Sequence, residues 1–418
     1  MIAAETRAVV AALATGGQTV RFVGGCVRDA VLGRDVTDVD IATPDPPDMV
    51  RDRLRAAGLQ AIPTGIAHGT VTAISGHRPF EITSLRRDVE TDGRHARVAY
   101  TDDWTEDAAR RDFTFNAMFC DPDGTLYDPF DGRADLAAGR VRFVGDARTR
   151  ITEDFLRLLR FFRFFAHYGA PPPDSQGLAA CAELAPGLER LSGERLRVET
   201  TKLLAAPDPV PAVRLMRDHG VLAHLLPEAS APEGHDGLAM LDALVSIEQA
   251  RADAAPLRRL AALLTDAPGD AVAIAARLKF SNADRDRLQA MLAPDEPFAA
   301  DTTALALRRM LYRLGPERCR DRLLIAWAGA GAAREAALAA APFAAKLATI
   351  ETWTRPRFPL AGKDVLALGV SPGAQVGQLL RAAERWWIAG DFQADRDQAL
   401  AHLRAEIAQS RPGPEPPA

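Results

Sequence analysis

Near residue 150 the chain changes character, and that change limits its possible folds more than any single motif does. Residues 1–145 mix short β-like runs with helices. VRFVGG (20–25), DVDIAT (38–43), GTVTAI (69–74), PFEITS (79–84) and RVRFVG (140–145) read as strands, bounded by Gly, Pro and Asp. From about 151 the apolar residues fall at helical spacing. TEDFLRLLRFFRFFAHYG predicts a helix with Thr152 as N-cap and Gly169 at its end. LSGERLRVETTKLLAAP predicts another, opened by Ser192 and stopped near Pro207 and Pro209. Beyond 210 the sequence is nearly all Ala/Leu/Arg helix, and it closes on SRPGPEPPA, whose composition is that of a disordered tail. A chain of 418 residues exceeds one ordinary core, so roughly two to four domains are expected. The expected class is α+β, a head with a small mixed sheet followed by an all-α remainder.

Composition narrows the function classes. Hydrophobic residues make up 47% and charged residues 26%, as in a soluble globular protein. No apolar run reaches the length of a membrane span, and the N-terminus lacks the pattern of a signal peptide. Cys26, Cys120, Cys181 and Cys319 are far apart with no CxxC pair, which argues against a zinc site or a disulfide framework and for a reducing cytoplasm. The net charge of −5 argues against a protein that coats nucleic acid, yet phosphate contacts need only a local positive surface. Arginine supplies nearly all the positive charge, the lysines being Lys202, Lys279, Lys346 and Lys363.

The densest chemistry lies in RFVGGCVRDAVLGRDVTDVDIAT. A β-run ends at Gly24-Gly25, where the backbone can approach a ligand closely, and Arg28 follows in the first turn of a short helix. Asp38 and Asp40 then flank Val39 at the start of a strand. Alternation puts both carboxylates on one face and turns Val39 and Ile41 to the core. Like charges so placed repel unless a cation sits between them, which suits a magnesium clamp for phosphoryl transfer. Glu81, in PFEITS, is the candidate third carboxylate. Further on, EDAARRDFTFNAM carries Arg110, Arg111, Asp112 and Asn116. Its arginines suit a triphosphate, and Asp112 or Asn116 suits a sugar hydroxyl.

In order, GGCVRDAVLGRDVTDVDIAT, TGIAHGTVT, FEITSLRRDVETDGRHA, RRDFTFNAM, DPFDGRADLAAGRVRFVGD, EDFLRLLRFFRF and ERLRVETTKLL together resemble the class II tRNA nucleotidyltransferase and bacterial poly(A) polymerase family. The resemblance covers roughly residues 20–205. PLAGKDVLALGVSPGAQVGQLL resembles the family's closing segment more loosely. It implies a polymerase-β-like catalytic head (1–145), a helical nucleotide-selecting neck (146–225), an RNA-binding body and tail (226–410) and a disordered end (411–418). It further implies that Gly24, Gly25 and Arg28 bind the triphosphate and that Asp38 and Asp40 hold Mg2+. Arg111 and Asp112 would contact phosphate and sugar, supported by Asn116. Glu153, Asp154 and Arg157 match the family's nucleotide-selecting motif on the first neck helix, with Arg160 one turn further. The implied reaction adds CCA to the 3′ end of tRNA from CTP and ATP, without template, membrane or protein partner.

Asp154 and Arg157 are three apart, hence expected neighbours on one helical face. As a pair they have a definite logic. Cytosine and adenine each present an amino donor beside a ring acceptor, which an aspartate and an arginine complement; uracil and guanine present the opposite order. LRRDVETDGRHARVAY (85–100) is polar without apolar periodicity and reads as a mobile loop. In the family, a loop here is associated with the switch from C to A addition.

The nearest rival reading is a bacterial poly(A) polymerase, disfavoured by Pro63–Thr70, which resembles CCA-adding members. An enzyme adding only CC or only A is a second rival. A non-catalytic RNA-binding protein is opposed by the intact Asp38/Asp40 pair, and an HD-type phosphohydrolase would need more metal ligands around His235-Asp236 than His219, His224 and Asp242 provide.

Overall fold

The computed structural model describes residues 3–65, 69–92, 95–230, 237–264, 271–330 and 341–409. The chain forms two compact units, Met1–Leu238 with Asp253–Asp284, and Ala239–Ala252 with Arg285–Ala418.

The first unit opens with a seven-stranded mixed sheet. In it β1 (Arg21–Val23) and β2 (Asp40–Thr43) run antiparallel at the centre. β2 pairs in parallel with β5 (Arg78–Ser84), which sets Asp40 opposite Glu81 and Ile41 opposite Ile82. β4 (Thr70–Ser75) and β3 (Gln60–Gly65) extend one side, β8 (Phe119–Cys120) and β9 (Leu126–Tyr127) the other. Ile41, Ala42 and Thr43 are all buried, as expected of a central strand covered on both faces. α1 (Ala4–Leu13) and α3 (Pro47–Ala56) pack on each other and against β4 and β5, burying Val9, Leu13, Val50 and Leu54 at four-residue spacing. Val23, Ala42, Leu85, Ala108, Ala117, Phe119 and Val144 form a further buried cluster, with Trp104, Tyr127 and Phe130 against it.

Three expectations require correction. RVRFVG is not a strand: the segment meets 112–114 through an isolated bridge, where Thr114 N–H donates to the Arg142 carbonyl and Val144 N–H to the Asp112 carbonyl. Its apolar residues, Val141, Phe143 and Val144, are buried by docking rather than by membership of a sheet. Residues 85–100 are not a structureless loop but an antiparallel hairpin, β6 (Arg86–Asp92) and β7 (His95–Tyr100), separate from the main sheet. A two-stranded ribbon satisfies its backbone groups pairwise without an apolar face, so hydrophobic periodicity does not reveal it. Thr152, finally, caps nothing. It lies inside α6 (Ala147–Glu153), which Asp146 caps by accepting the Thr149 N–H at 2.8 Å. α6 ends at Asp154, in extended geometry (φ −154°, ψ 106°), and α7 (Leu156–Tyr168) begins beyond it.

α7 fixes the helical part of this unit to the sheet. Its Phe161 and Phe164 enter an aromatic cluster with Phe113, Phe115 and Phe143, ring centroids 4.7–5.8 Å apart. α8 (Ser175–Leu184) follows, and α9 (Gly193–Leu204), opened by Ser192 as expected, packs along α7.

The second unit is helical. Helices Gly362–Ala367, Ala374–Ala389 and Arg396–Gln409 bury Leu360, Val365, Leu379, Ala383, Ala399, Leu403 and Ile407 together. Trp327 of the helix Pro316–Ala330 stacks on Phe343. Every regular element after Tyr127 among the described residues is helical, and none of these helices is long and apolar enough to cross a membrane.

Candidate active site

A cavity of about 810 Å³ opens within the first unit. Gly24, Gly25 and Arg28 line it from the turn after β1 and the short helix that follows, Asp40 from β2, Arg110, Arg111, Asp112 and Asn116 from the segment before β8, Asp154 from the break before α7, and Arg157 and Arg160 from α7 itself. Sequence positions more than a hundred residues apart thus share one wall-to-wall space.

The turn after β1 explains its glycine. Gly24 has φ 72° and ψ −129°, a conformation closed to residues with a Cβ. It leads into α2 (Gly25–Val31), which carries Arg28. The Arg28 guanidinium donates through Nη1 to Asn116 Oδ1 (2.8 Å) and bidentately to Asp29 (2.9 Å each), with the Tyr168 ring 4.4 Å away. Asn116 in turn donates to Asp112 Oδ1 (3.1 Å), and Arg160 Nε donates to Asp112 Oδ2 (2.5 Å). In DFTFN the phenylalanines enter the aromatic cluster, while Asp112 and Asn116 line the cavity. Burial alone would raise the Asp112 carboxyl; Arg160 and the Asn116 amide hold it below the usual value.

Asp40 is the first residue of β2 and Asp38 lies in the bend just before it, so the expected strand alternation holds only from Asp40 onward. Asp38 is exposed, Asp40 half-buried, and Val39 and Ile41 are buried; of the carboxylates Asp38, Asp40 and Glu81, Asp40 is the one that lines the cavity. Burial, then the nearby Glu81 and Asp38 charges, push Asp40 up to about 6 against the opposing pull of Arg111. Glu81 itself is exposed. Among the described residues no three His, Cys, Asp or Glu side chains converge as a ready-made metal cage. Mg2+ requires none: one or two hard carboxylates plus substrate phosphates are its usual set. Asp38 and Asp40 fit that requirement, and their mutual repulsion is what a cation would relieve.

Asp107 is 1% exposed and holds the two adjacent arginines. Its Oδ1 accepts from Arg110 Nε and Nη2 (2.9 and 2.7 Å), its Oδ2 from Arg111 Nε and Nη2 (3.2 and 2.8 Å). Oδ1 also accepts the Arg86 N–H at the root of the hairpin.

Asp154 and Arg157 both reach the cavity, but not as a helical pair. Asp154 lies at the break between helices, so the three-residue spacing does not make the two an ion pair. Asp154 Oδ2 accepts from Arg195 of α9 (2.7 Å) and Oδ1 from the Leu156 N–H (3.1 Å). Arg157 donates to Glu153 Oε2 (2.6 Å) and to the carbonyls of Arg150 and Arg110 (3.2 and 3.1 Å). Each residue of the pair therefore has its own orienting partner.

Sequence reading missed Arg163, Phe164, His167 and Tyr168, which also line the cavity, along with Lys202 of α9. The first four continue the spacing of Arg157 and Arg160 along one face of α7, a signal that was available. The spacing of Asp107 three and four residues before Arg110 and Arg111 was likewise available, whereas Arg195 and Lys202 left no signal, because only the packing of α9 along α7 brings them to the site. His235-Asp236 and Ile66–His68 lie outside the described residues.

A carboxylate at the head of a strand with a second just before it, a cavity lined by arginines, and an Asp and an Arg flanking the junction of α6 and α7 define a nucleotidyltransferase with a polymerase head. Residues 20–142 match the poly A polymerase head domain, and 173–231 the probable RNA and SrmB-binding site of polymerase A. CCA tRNA nucleotidyltransferase 1, mitochondrial, of Mus musculus is 34% identical over 405 residues, covering 92% of this chain and 86% of its own. The CCA-adding enzyme of Geobacillus stearothermophilus is 37% identical over 224 residues, 53% of this chain and 54% of its own. A crystal structure of Bacillus stearothermophilus CCA-adding enzyme in complex with CTP superposes with TM-score 0.74 at 28% identity, covering 97% of both chains. The chain belongs to the class II CCA-adding enzymes, the CCA tRNA nucleotidyltransferases.

Proposed function

We propose that this chain adds C, C and A in turn to the 3′ end of tRNA from CTP and ATP, releasing pyrophosphate at each step. The observation that carries the reading is a single cavity with a phosphoryl-transfer carboxylate, Asp40, and a base-reading pair, Asp154 and Arg157, on its lining.

In this reading Asp154 accepts from the exocyclic amino group of C or A while Arg157 donates to the ring acceptor beside it. Uracil or guanine would set a carbonyl against the carboxylate and a ring N–H against the guanidinium, and buried mismatches of that kind are strongly rejected. The protein thereby replaces a template strand. Arg28 and Arg111, with the backbone at Gly24 and Gly25, face the triphosphate. Arg160 and Asn116 are held in place by Asp112, whose Oδ2 retains capacity for a sugar hydroxyl. Asp38 and Asp40, with Glu81 as third carboxylate, would hold Mg2+. When bound, the metal supplies the charge that activates the RNA 3′-hydroxyl and stabilises departing pyrophosphate. Glu153 acts through Arg157.

The division of labour follows: catalysis in 1–145, nucleotide selection in 146–225, and RNA contacts in 226–410, mostly to phosphate and shape. The cysteines described are all buried and free, which supports a reducing compartment, here the cytoplasm.

Incubation with labelled CTP and ATP and a tRNA lacking its CCA, followed by sequencing of the 3′ ends, tests the whole reading. CCA ends are expected. Long A tails would mean a poly(A) polymerase, CC or a lone A a partial enzyme, and no incorporation an RNA-binding protein without catalysis.

A further inference from the structure

Asp154 is a difficult residue on which to base selection. It lies at a helix break in extended geometry, its carbonyl accepting the Arg157 N–H at 2.9 Å, and without further contacts its carboxylate would turn freely about its side-chain bonds. A base reader that rotates can accept from either edge arrangement and loses discrimination. Two contacts prevent this. The Leu156 N–H donates to Oδ1 at 3.1 Å, and Arg195 Nη2 donates to Oδ2 at 2.7 Å. The first comes from the adjoining backbone. The second comes from the first turn of α9, forty-one residues away in sequence, and joins two partly buried side chains, 16% and 22% exposed.

We infer that Arg195 is the positioning residue for nucleotide choice: it holds the Asp154 carboxylate in one orientation, so that its remaining lone pairs face the cavity. The inference rests on the reading of Asp154 as a base contact. Arg195 does not line the cavity itself, so it acts through Asp154 and not on the nucleotide. A carboxylate has about four lone-pair sites, and Arg195 and the Leu156 amide occupy two, one on each oxygen. What remains is an acceptor with a fixed direction. An arginine is suited to this task because its planar donors stay charged and set an angle as well as a distance. The arrangement parallels that of Arg157, whose guanidinium is oriented by Glu153 and two carbonyls. Acceptor and donor of the reading pair are thus fixed by different helices, α9 and α6.

The test compares Arg195→Ala, Arg195→Gln and Arg195→Lys with Asp154→Ala in single-nucleotide addition to tRNA ending before C74 and before A76, each supplied with CTP, ATP, UTP or GTP. Arg195→Ala and Arg195→Gln are expected to lower the ratio of kcat/KM for CTP over UTP, and for ATP over GTP, by about tenfold to a hundredfold, the scale of one lost charged hydrogen bond. Arg195→Lys should recover part of that ratio. A merely structural role would lower the melting temperature and depress all four nucleotides alike, with their ratios intact. Unchanged ratios in a folded Arg195→Ala or Arg195→Gln protein, alongside relaxed ratios in Asp154→Ala, overturn the positioning role alone. Unchanged ratios in Asp154→Ala overturn the base-contact reading beneath it.

Discussion

Replacing Asp107 by Asn is the most informative single test of how the site is held together. The carboxylate is 1% exposed and accepts four hydrogen bonds from two arginines whose side chains are only 14% and 17% exposed. Asparagine keeps the volume and one acceptor but removes the charge that balances both guanidiniums. Breaking a buried ion pair from one side costs about 3–5 kcal/mol, because the partner charge stays buried without compensation. At ~2–4 °C per kcal/mol for a unit of this size, the melting transition of the first unit should fall by roughly 6–20 °C. Burial by itself would raise the Asp107 carboxyl, yet Arg111 and Arg110 hold it below the ordinary value. A carboxyl depressed by folding stabilises above its unfolded pKa, and that contribution is lost as pH falls through the folded one. The wild-type advantage should therefore be complete at neutral pH and shrink only below about pH 4. Thermal melts of both proteins from pH 7 to pH 3, followed by circular dichroism, measure it. Transitions within about 1 °C of each other at pH 7 would refute the reasoning, and an advantage that grows on acidification would refute its sign.

The other expectations concern activity. Asp38→Ala and Asp40→Ala should each leave less than about a hundredth of wild-type turnover for both C and A, since losing a metal ligand costs several kcal/mol in the transition state; normal circular dichroism would show that the fold persists. Arg157→Ala should relax the preference for CTP and ATP over UTP and GTP while addition continues, read from competition between labelled nucleotides. Excising residues 87–94 removes all of β6 but Arg86, whose N–H and carbonyl bond Asp107 and Arg110. The excised enzyme should still add CC and fail at the final A, as 3′-end sequencing would show; equal loss of C and A would assign the hairpin to folding or general closure.

What the sequence by itself determined is the part of this protein that depends on local period and local backbone. Alternation in DVDIAT set Asp40 apart from Ile41, as strand geometry requires, although the strand begins only at Asp40 and leaves Asp38 in the bend before it. Gly24 announced a turn that only glycine can make. Helical spacing found α7 and α9, though not where α6 yields to α7, since the break at Asp154 follows no Pro or Gly. The hairpin of β6 and β7 left no trace because its backbone groups pair with each other and ask nothing of side-chain polarity. The tertiary structure alone decided which distant polar side chains meet: Asp154 with Arg195, Asp112 with Arg160, Arg28 with Asn116. In a chain with this many arginines and carboxylates, spacing offers several partners to each, and only close packing selects those that come within about 3 Å.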